Sequence, residues 1–250
     1  AGEIHINGFD LLDQPKQAKR CLGYLPDTPP LYKELTVDEF LHYCGRLHRL
    51  SFRDISQAVN LAKARCGLTD VAQRLIINLS KGYQQRVGIA QAILHNPEII
   101  ILDEPTVGLD PIQIKEIRSL IKELGSEHGI ILSTHILSEV QESCSHVQII
   151  NKGKLIFKST IDGLNQRMNT GTIKIITRSA INLERFIGIS GINSIENSSD
   201  TSYLIHHDNN NNPIESIAEI VVNSGCGLLE LSAVKKSMED IFISLTAKEE

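Results

Sequence analysis

The chain has 250 residues, enough for one large α/β domain or for a domain of ordinary size with a small appendix. Hydrophobic residues make up 41% and charged residues 22%, which excludes the disordered and fibrous classes; a formal net charge of -5 offers no general basic face for nucleic acid. No run of about 18 apolar residues occurs, so no helix here is expected to cross a bilayer, and a membrane connection would have to come through a partner.

From the N-terminus, Glu3 to Asn7 alternates apolar and polar residues and closes on Gly8, the pattern of an exposed strand and turn. A second short strand ends at Tyr24 and Leu25. Pro26, Pro29 and Pro30 then force a loop, because none can donate to a ladder or continue a helix. From Thr36 the period becomes helical. Thr36 and Glu39 form a capping pair, and Val37, Phe40, Leu41 and Cys44 share a face. Ser51 and Asp54 repeat the capping pattern before a helix carrying Ile55, Val59, Ala62 and Cys66. A third helix starts near Ser80 and turns Val87, Ala90, Ile93 and Leu94 inward, so residues 36 to about 95 read as a helical subdomain.

Glu98 to Leu102 is a continuous apolar run, expected of a strand buried on both faces of a parallel sheet. Pro111 opens another helix, Gly129 to Ser133 reads as a second buried strand, a helix follows His135, and His146 to Phe157 reads as a hairpin turning at Lys152 and Gly153. Strands alternating with helices argue for a doubly wound α/β layer. Past Arg167 the expected order changes to a strand at Thr172 to Arg178, a helix around Leu183 to Ile187, a weak strand near Ser194, a strand at Ser202 to His207, a helix at Pro213 to Val222 and a strand at Leu228 to Ser232. That is the β-α-β-β-α-β ferredoxin-like plan, with Asn209 to Asn212 as a turn and a closing helix at Ser237 to Thr246. The expected organisation is therefore an α/β domain over residues 1–167 and a small α+β domain over residues 168–250, with the boundary near Met168.

Cys21, Cys44, Cys66, Cys144 and Cys226 are odd in number, widely spread and without a C-x-x-C pair, which reads as reduced thiols in a cytosolic protein and not as a metal site. No signal peptide opens the chain, and its Ala-Gly-Glu start fits either removal of an initiator Met or a fragment.

The chemistry concentrates in Asn78 to Asp110, NLSKGYQQRVGIAQAILHNPEIIILDEPTVGLD. An apolar strand runs into two adjacent carboxylates, Asp103 and Glu104, at the strand end that faces the ligand crevice in open α/β sheets. One carboxylate there can hold Mg²⁺ and the next can orient or deprotonate a water. Taken alone, the pair could equally mark the polar end of a strand. Upstream, Ser80 and Gly82 open a helix, where a hydroxyl, close backbone approach and free N–H groups make an anion site; a plain N-cap is the simpler reading of Ser80 by itself.

In combination these segments resemble the motifs of the ABC ATPases. Leu79 to Arg86 is similar to the signature, the run into Asp103 and Glu104 to Walker B, Gly108 to Asp110 to the D-loop, and His135 to the switch histidine. Gly23 to Pro26 resembles the approach to the Q-loop, with Asp27 at the glutamine position. Asp can offer an oxygen to Mg²⁺ but cannot donate a hydrogen bond. Lys81 and Tyr83 also depart from the usual signature, whereas Ser80 and Gly82 are present.

The resemblance implies an ABC-type P-loop NTPase core that uses ATP and Mg²⁺. Glu104 would be the catalytic base and His135 the phosphate sensor. Asp103, with Asp27, would be a metal ligand. Ser80, Gly82 and Gln84 would be presented in trans to the nucleotide of a second ATPase subunit, and Asp110 would meet that subunit. The protein would sit peripherally on the cytoplasmic face of a membrane, driving an integral-membrane transporter subunit through the helical subdomain and the Asp27 loop. The C-terminal region, above all Met238 to Phe242, resembles the accessory extension of exporter-type ATPases. No G-x-x-x-x-G-K-[ST] phosphate loop occurs in the sequence. The resemblance thus begins after that loop and its helix, and the chain reads as truncated, inactive alone and marginally stable. The alternative is a catalytically silent regulatory subunit that lends its signature to an intact partner. An ABC-type ATPase acting on DNA or ribosomes fits less well, since the chain is acidic and shows neither a long coiled coil nor two cassettes. Whether it is an enzyme depends on the reading frame upstream of Ala1.

Overall fold

The computed structural model describes residues 2–208 and 212–246. The expected strand at Glu3 to Asn7 is shorter: β1 (His5–Ile6) turns through Asn7 and Gly8, both at positive φ, into β2 (Phe9–Asp10). A helix absent from the sequence reading follows, α1 (Pro15–Arg20), with Pro15 in the first turn, where a missing N–H leaves no bond unmade. It leads into β3 (Leu22–Leu25) and the proline loop.

The helical segment forms as expected. α2 (Val37–Leu47) opens on a reciprocal capping box, Glu39 N–H to Thr36 Oγ1 at 3.2 Å and Thr36 N–H to Glu39 Oε2 at 2.9 Å. α3 (Phe52–Arg65) is capped by Ser51, whose Oγ accepts from Asp54 N–H. α4 (Lys81–Ile93) is capped by Ser80. The apolar faces of all three meet in one core, which includes Val37, Phe40, Val59, Cys66, Val87 and Ile89.

β4 (Ile99–Asp103) pairs in parallel with β3 on one side and with β5 (Gly129–Ser133) on the other. α5 (Pro111–Leu124) connects β4 to β5, and α6 (Leu137–Ser143) follows β5. Alternation divides this sheet into two faces. Leu25, Ile100 and Leu102 are fully buried on the helix-covered face, with Ile130 and Leu132 packed against the same core. The opposite face carries the row Tyr24, Ile101 and Ile131, in register across the three strands, with Tyr24 48% and Ile131 57% exposed. The expectation that β5 is buried on both faces is therefore corrected. Its continuous apolar run reports high β propensity, but Ile130 and Leu132 pack against the core while Ile131 stays exposed on the opposite face, where α1 packs at Leu22 and Ile99. Gly23 is the close-approach point between sheet and helix: a Cβ there would lie against the carbonyl oxygen of Ala92 on α4.

Residues 1–144 form one compact unit and residues 145–250 another, so the division falls at Cys144 and Ser145, ahead of the Met168 position read from the sequence. In the second unit, β6 (His146–Asn151) and β7 (Lys154–Thr160) make the expected hairpin through Lys152 and Gly153, both at positive φ. α7 (Ile161–Met168), capped by Thr160, leads to β8 (Asn169–Thr177). The expected helix near Leu183 is a 3-10 turn, Leu183–Phe186. β9 (Ile192–Ser199) is longer than the weak strand anticipated, and β10 (Ser202–His207), α8 (Ile214–Asn223), β11 (Leu228–Lys235) and α9 (Met238–Thr246) complete the order. The four strands form one antiparallel sheet in the order β11-β8-β10-β9, over a core of Ile173, Ile175, Phe186, Tyr203, Ile205 and Ile217. Of the anticipated turn at Asn209 to Asn212, residues 209–211 lie outside the described residues.

Candidate functional site

β4 ends at Asp103, directly opposite Ser133 of β5, and the chain then leaves the ladder. Glu104 takes a positive φ of 48°, its N–H donates to Ser133 O at 2.9 Å, and its carbonyl accepts from Val107 N–H at 3.2 Å. A non-glycine residue in the left-handed region costs on the order of 1–2 kcal/mol and persists only where the surroundings determine it. Here it turns the Glu104 side chain toward the end of β5. Glu104 Oε1 accepts two bonds from one residue, His135 N–H at 3.0 Å and His135 Nδ1–H at 2.7 Å. Oε2 is buried and has no hydrogen-bond partner. A buried carboxylate oxygen without a protein donor retains its capacity to accept a hydrogen bond.

The His135 ring is 72% exposed, and the Glu104 side chain 20%. The hydrogen bond to Glu104 and then its negative charge raise the His135 pKa above the ordinary 6.5. A raised folded pKa stabilises the native state fully below the unfolded value and loses that contribution as pH rises through the folded one. The stability difference between the parent and Glu104→Gln, followed as urea midpoints, is therefore expected to be largest below pH 6.5. It should shrink as pH climbs through the raised value. Solvent screening of the exposed ring keeps this effect small. A pH-independent difference would show that the pair is not charged in the native state.

Asp103 and Asp27 come to the same end of the sheet, because Leu25 pairs with Leu102 and each acid follows shortly after. Asp27 is exposed on the proline loop. Among the described residues no three His, Cys, Asp or Glu side chains cluster so as to hold a metal by themselves. Two carboxylates do suit Mg²⁺, which usually keeps several waters and binds through one or two carboxylates together with substrate phosphates.

The remaining residues singled out from the sequence gather elsewhere, around the starts of α4 and α5. Ser80 Oγ caps α4, accepting from Tyr83 N–H at 3.4 Å. Gly82 is buried beneath Gln113 of α5, whose carboxamide would stand 2.6 Å from a Cβ at that position. Lys81 lies over Gly108 in the segment after β4. Asp110 caps α5, accepting from Ile112 and Gln113 N–H, both at 3.0 Å. The Gln84 amide donates to the carbonyls of Ile76 at 3.2 Å and Leu79 at 3.0 Å, which fastens α4 to the preceding 3-10 turn. A cavity of about 250 Å³ is lined here by Ser80, Gly82, Tyr83, Arg86, Gln113 and Glu116. The sequence reading missed Gln113 and the buried Glu139, because nothing in the local pattern marks an amide or an acid that acts across helices.

No helix among the described residues is long and apolar enough to cross a membrane. The model of the family described as "ABC transporter" matches residues 1–107. The chain is 31% identical over 256 residues to the bacitracin transport ATP-binding protein BcrA of Bacillus licheniformis, covering 98% of this chain and 79% of that protein. It is 34% identical over 171 residues to YxlF of Bacillus subtilis, an ABC transporter ATP-binding protein without established function, covering 68% of this chain and 58% of that one. Among solved structures, the ATP-binding subunit of an ABC transporter matches with a TM-score of 0.58 at 34% identity, over 66% of this chain and 70% of that one. The α/β fold is thus of the ABC ATPase type. With a strand ending in two acids beside a histidine, and with relatives that match along almost its whole length, the chain belongs to the family of ABC transporter ATP-binding subunits.

Proposed function

We propose that this chain works as an ATPase subunit in which Glu104 activates water, His135 senses the terminal phosphate, and Ser80 and Gly82 face the nucleotide held by a second subunit. The observation that carries this reading is the double hydrogen bond from His135 to Glu104 Oε1, beside an unpartnered Oε2. A carboxylate in that position can take a proton from a water on its free oxygen while the imidazole remains beside it. Mg²⁺, held by Asp103 and Asp27 with phosphate oxygens, would supply charge neutralisation for the transferring phosphoryl group. Asp27 cannot donate a hydrogen bond as glutamine would, so coupling through the proline loop rests on its charge. Asp110 caps α5 through one oxygen and would meet the second subunit at this helix start.

The phosphate cradle lies outside these 250 residues, since no G-x-x-x-x-G-K-[ST] occurs among them. Either upstream sequence supplies it, or the chain is a silent subunit that presents Ser80 and Gly82 to an intact partner. Docking to a membrane subunit at the cytoplasmic face runs through the helical subdomain and the Asp27 loop. The β11-β8-β10-β9 order, with α8 crossing between β10 and β11, supports a ferredoxin-like accessory domain.

The test is an ATP titration of the chain alone, of the chain with its upstream sequence, and of the chain mixed with an intact ATP-binding subunit. Weak binding alone and tight Mg²⁺-dependent binding with upstream sequence is the outcome for a complete enzyme. ATP-dependent association with an intact subunit, without binding of its own, is the outcome for the silent subunit. Tight binding by the 250 residues alone would remove the external cradle, and no ATP response in any arm would overturn the assignment.

A further inference from the structure

Glu104 and His135 belong to different strand ends, and packing does not hold the His135 ring, which is 72% exposed. Their contact depends on how two short segments are placed, Glu104 to Gly108 after β4 and Thr134 to Ile136 after β5. Both segments converge on a single carboxylate. Glu139, on α6, is 1% exposed. Its Oε1 accepts from the hydroxyl of Thr106, two residues beyond Glu104, and Thr106 is itself 1% exposed. Its Oε2 accepts at 2.9 Å from the hydroxyl of Thr134, the residue before His135. Thr134 Oγ1 in turn accepts from Ile136 N–H at 3.0 Å, which fixes the backbone on the far side of His135. Arg118 of α5 stands behind the carboxylate, with Nη2 3.7 Å from Glu139 Oε1 and Nη1 2.6 Å from Glu142 Oε2.

Burying a carboxylate is costly unless both oxygens are paired. Here both oxygens are, and each one is spent on a different half of the site. A structural ion pair alone would need only Arg118. The two threonine bonds do something that pair cannot, tying the Glu104 segment to the His135 segment through one rigid group. They also account for the left-handed Glu104, whose strain persists only if its neighbours define its place.

We propose that Glu139 is a positioning residue that sets the Glu104–His135 contact by bridging Thr106 and Thr134. It acts through Glu104 and His135, the residues that the ATPase reading places at the attacking water and the terminal phosphate. The inference deepens the ATPase reading and rests on it for the importance of that contact, but its geometry can be tested without turnover.

The experiment uses the whole 250-residue chain and a double-mutant cycle read by NMR. Glu139→Asp keeps the charge but is one methylene too short to reach both hydroxyls. In this variant the low-field amide proton of His135 should be lost and its imidazole should titrate at the ordinary histidine value. In a Glu104→Gln background the same change should leave the imidazole titration where it is, because the carboxylate charge that raises it is already gone. Unchanged His135 signals in a folded Glu139→Asp protein would overturn the proposal. Equal changes in both backgrounds would also overturn it, showing that Glu139 acts by its field or by bulk structure. If Glu139→Asp does not fold, Thr134→Val should abolish the His135 signature and Thr134→Ser restore it; retention in Thr134→Val sinks the bridge. Failure of Glu104→Gln to slow ATP turnover in the assembled ATPase would remove the catalytic reading while leaving the outcome of this cycle intact.

Discussion

Glu104→Gln is expected to cut ATP turnover by about 10²–10⁴-fold in a chain whose phosphate cradle is complete, while nucleotide binding survives. The amide keeps the shape of the carboxylate, and its oxygen can still accept from His135 N–H, now 3.0 Å from Oε1. What it cannot do is take a proton from water, since its remaining polar group is a donor. Binding and the fold of the site should therefore be retained while the proton-transfer step is lost. Single-turnover hydrolysis, followed together with nucleotide retention on a filter, separates the two quantities. ATP retained without hydrolysis is the expected result. Undiminished hydrolysis would take Glu104 out of its proposed role and leave His135 with an ordinary surface ion pair.

Leu102→Ala should destabilise the chain by about 2–5 kcal/mol, whereas Ile131→Ala should stay within about 1 kcal/mol. The two residues sit on neighbouring strands of one sheet and are both large and aliphatic, but they point to opposite faces. Leu102 is fully buried against the α2, α3 and α4 core, where truncation loses transfer energy and leaves a cavity. Ile131 is 57% exposed, so little is removed with its side chain. Urea unfolding of both variants decides the matter. Similar losses in the two would mean that a covering layer lies over the Tyr24, Ile101 and Ile131 face in solution. Because Leu102 directly precedes Asp103, its loss should also loosen the strand end that presents the acidic pair.

Much of the core was legible in the residue order. The capping pairs Thr36 with Glu39 and Ser51 with Asp54 act within four residues, so the local sequence contains both partners, and each forms in the structure. The faces Val37, Phe40, Leu41 and Cys44, and Val87, Ala90, Ile93 and Leu94, follow from the helical period and are buried. The six residues of α1 give too little periodic signal to read as a helix, and the 3-10 turn at Leu183 reads as one because a single turn has the same apolar spacing in both forms. The two faces of β5 could not be told apart, since Ile130, Ile131 and Leu132 are equally apolar and only the placement of the helices decides which is covered.

By itself the sequence determined which side chains could do chemistry: an acidic pair after an apolar strand, a histidine after the next strand, and a Ser and Gly at a helix start, in an order that marks the family. These are properties of residue type and spacing, carried by short-range rules. The tertiary structure alone decided how they meet. It set Glu104 on His135 and left Oε2 without a donor, laid Gln113 over Gly82, and gathered Thr106 and Thr134 on one buried carboxylate. Each of these contacts joins residues far apart in the chain, and their geometry exists only once parallel pairing and helix packing have brought the segments together.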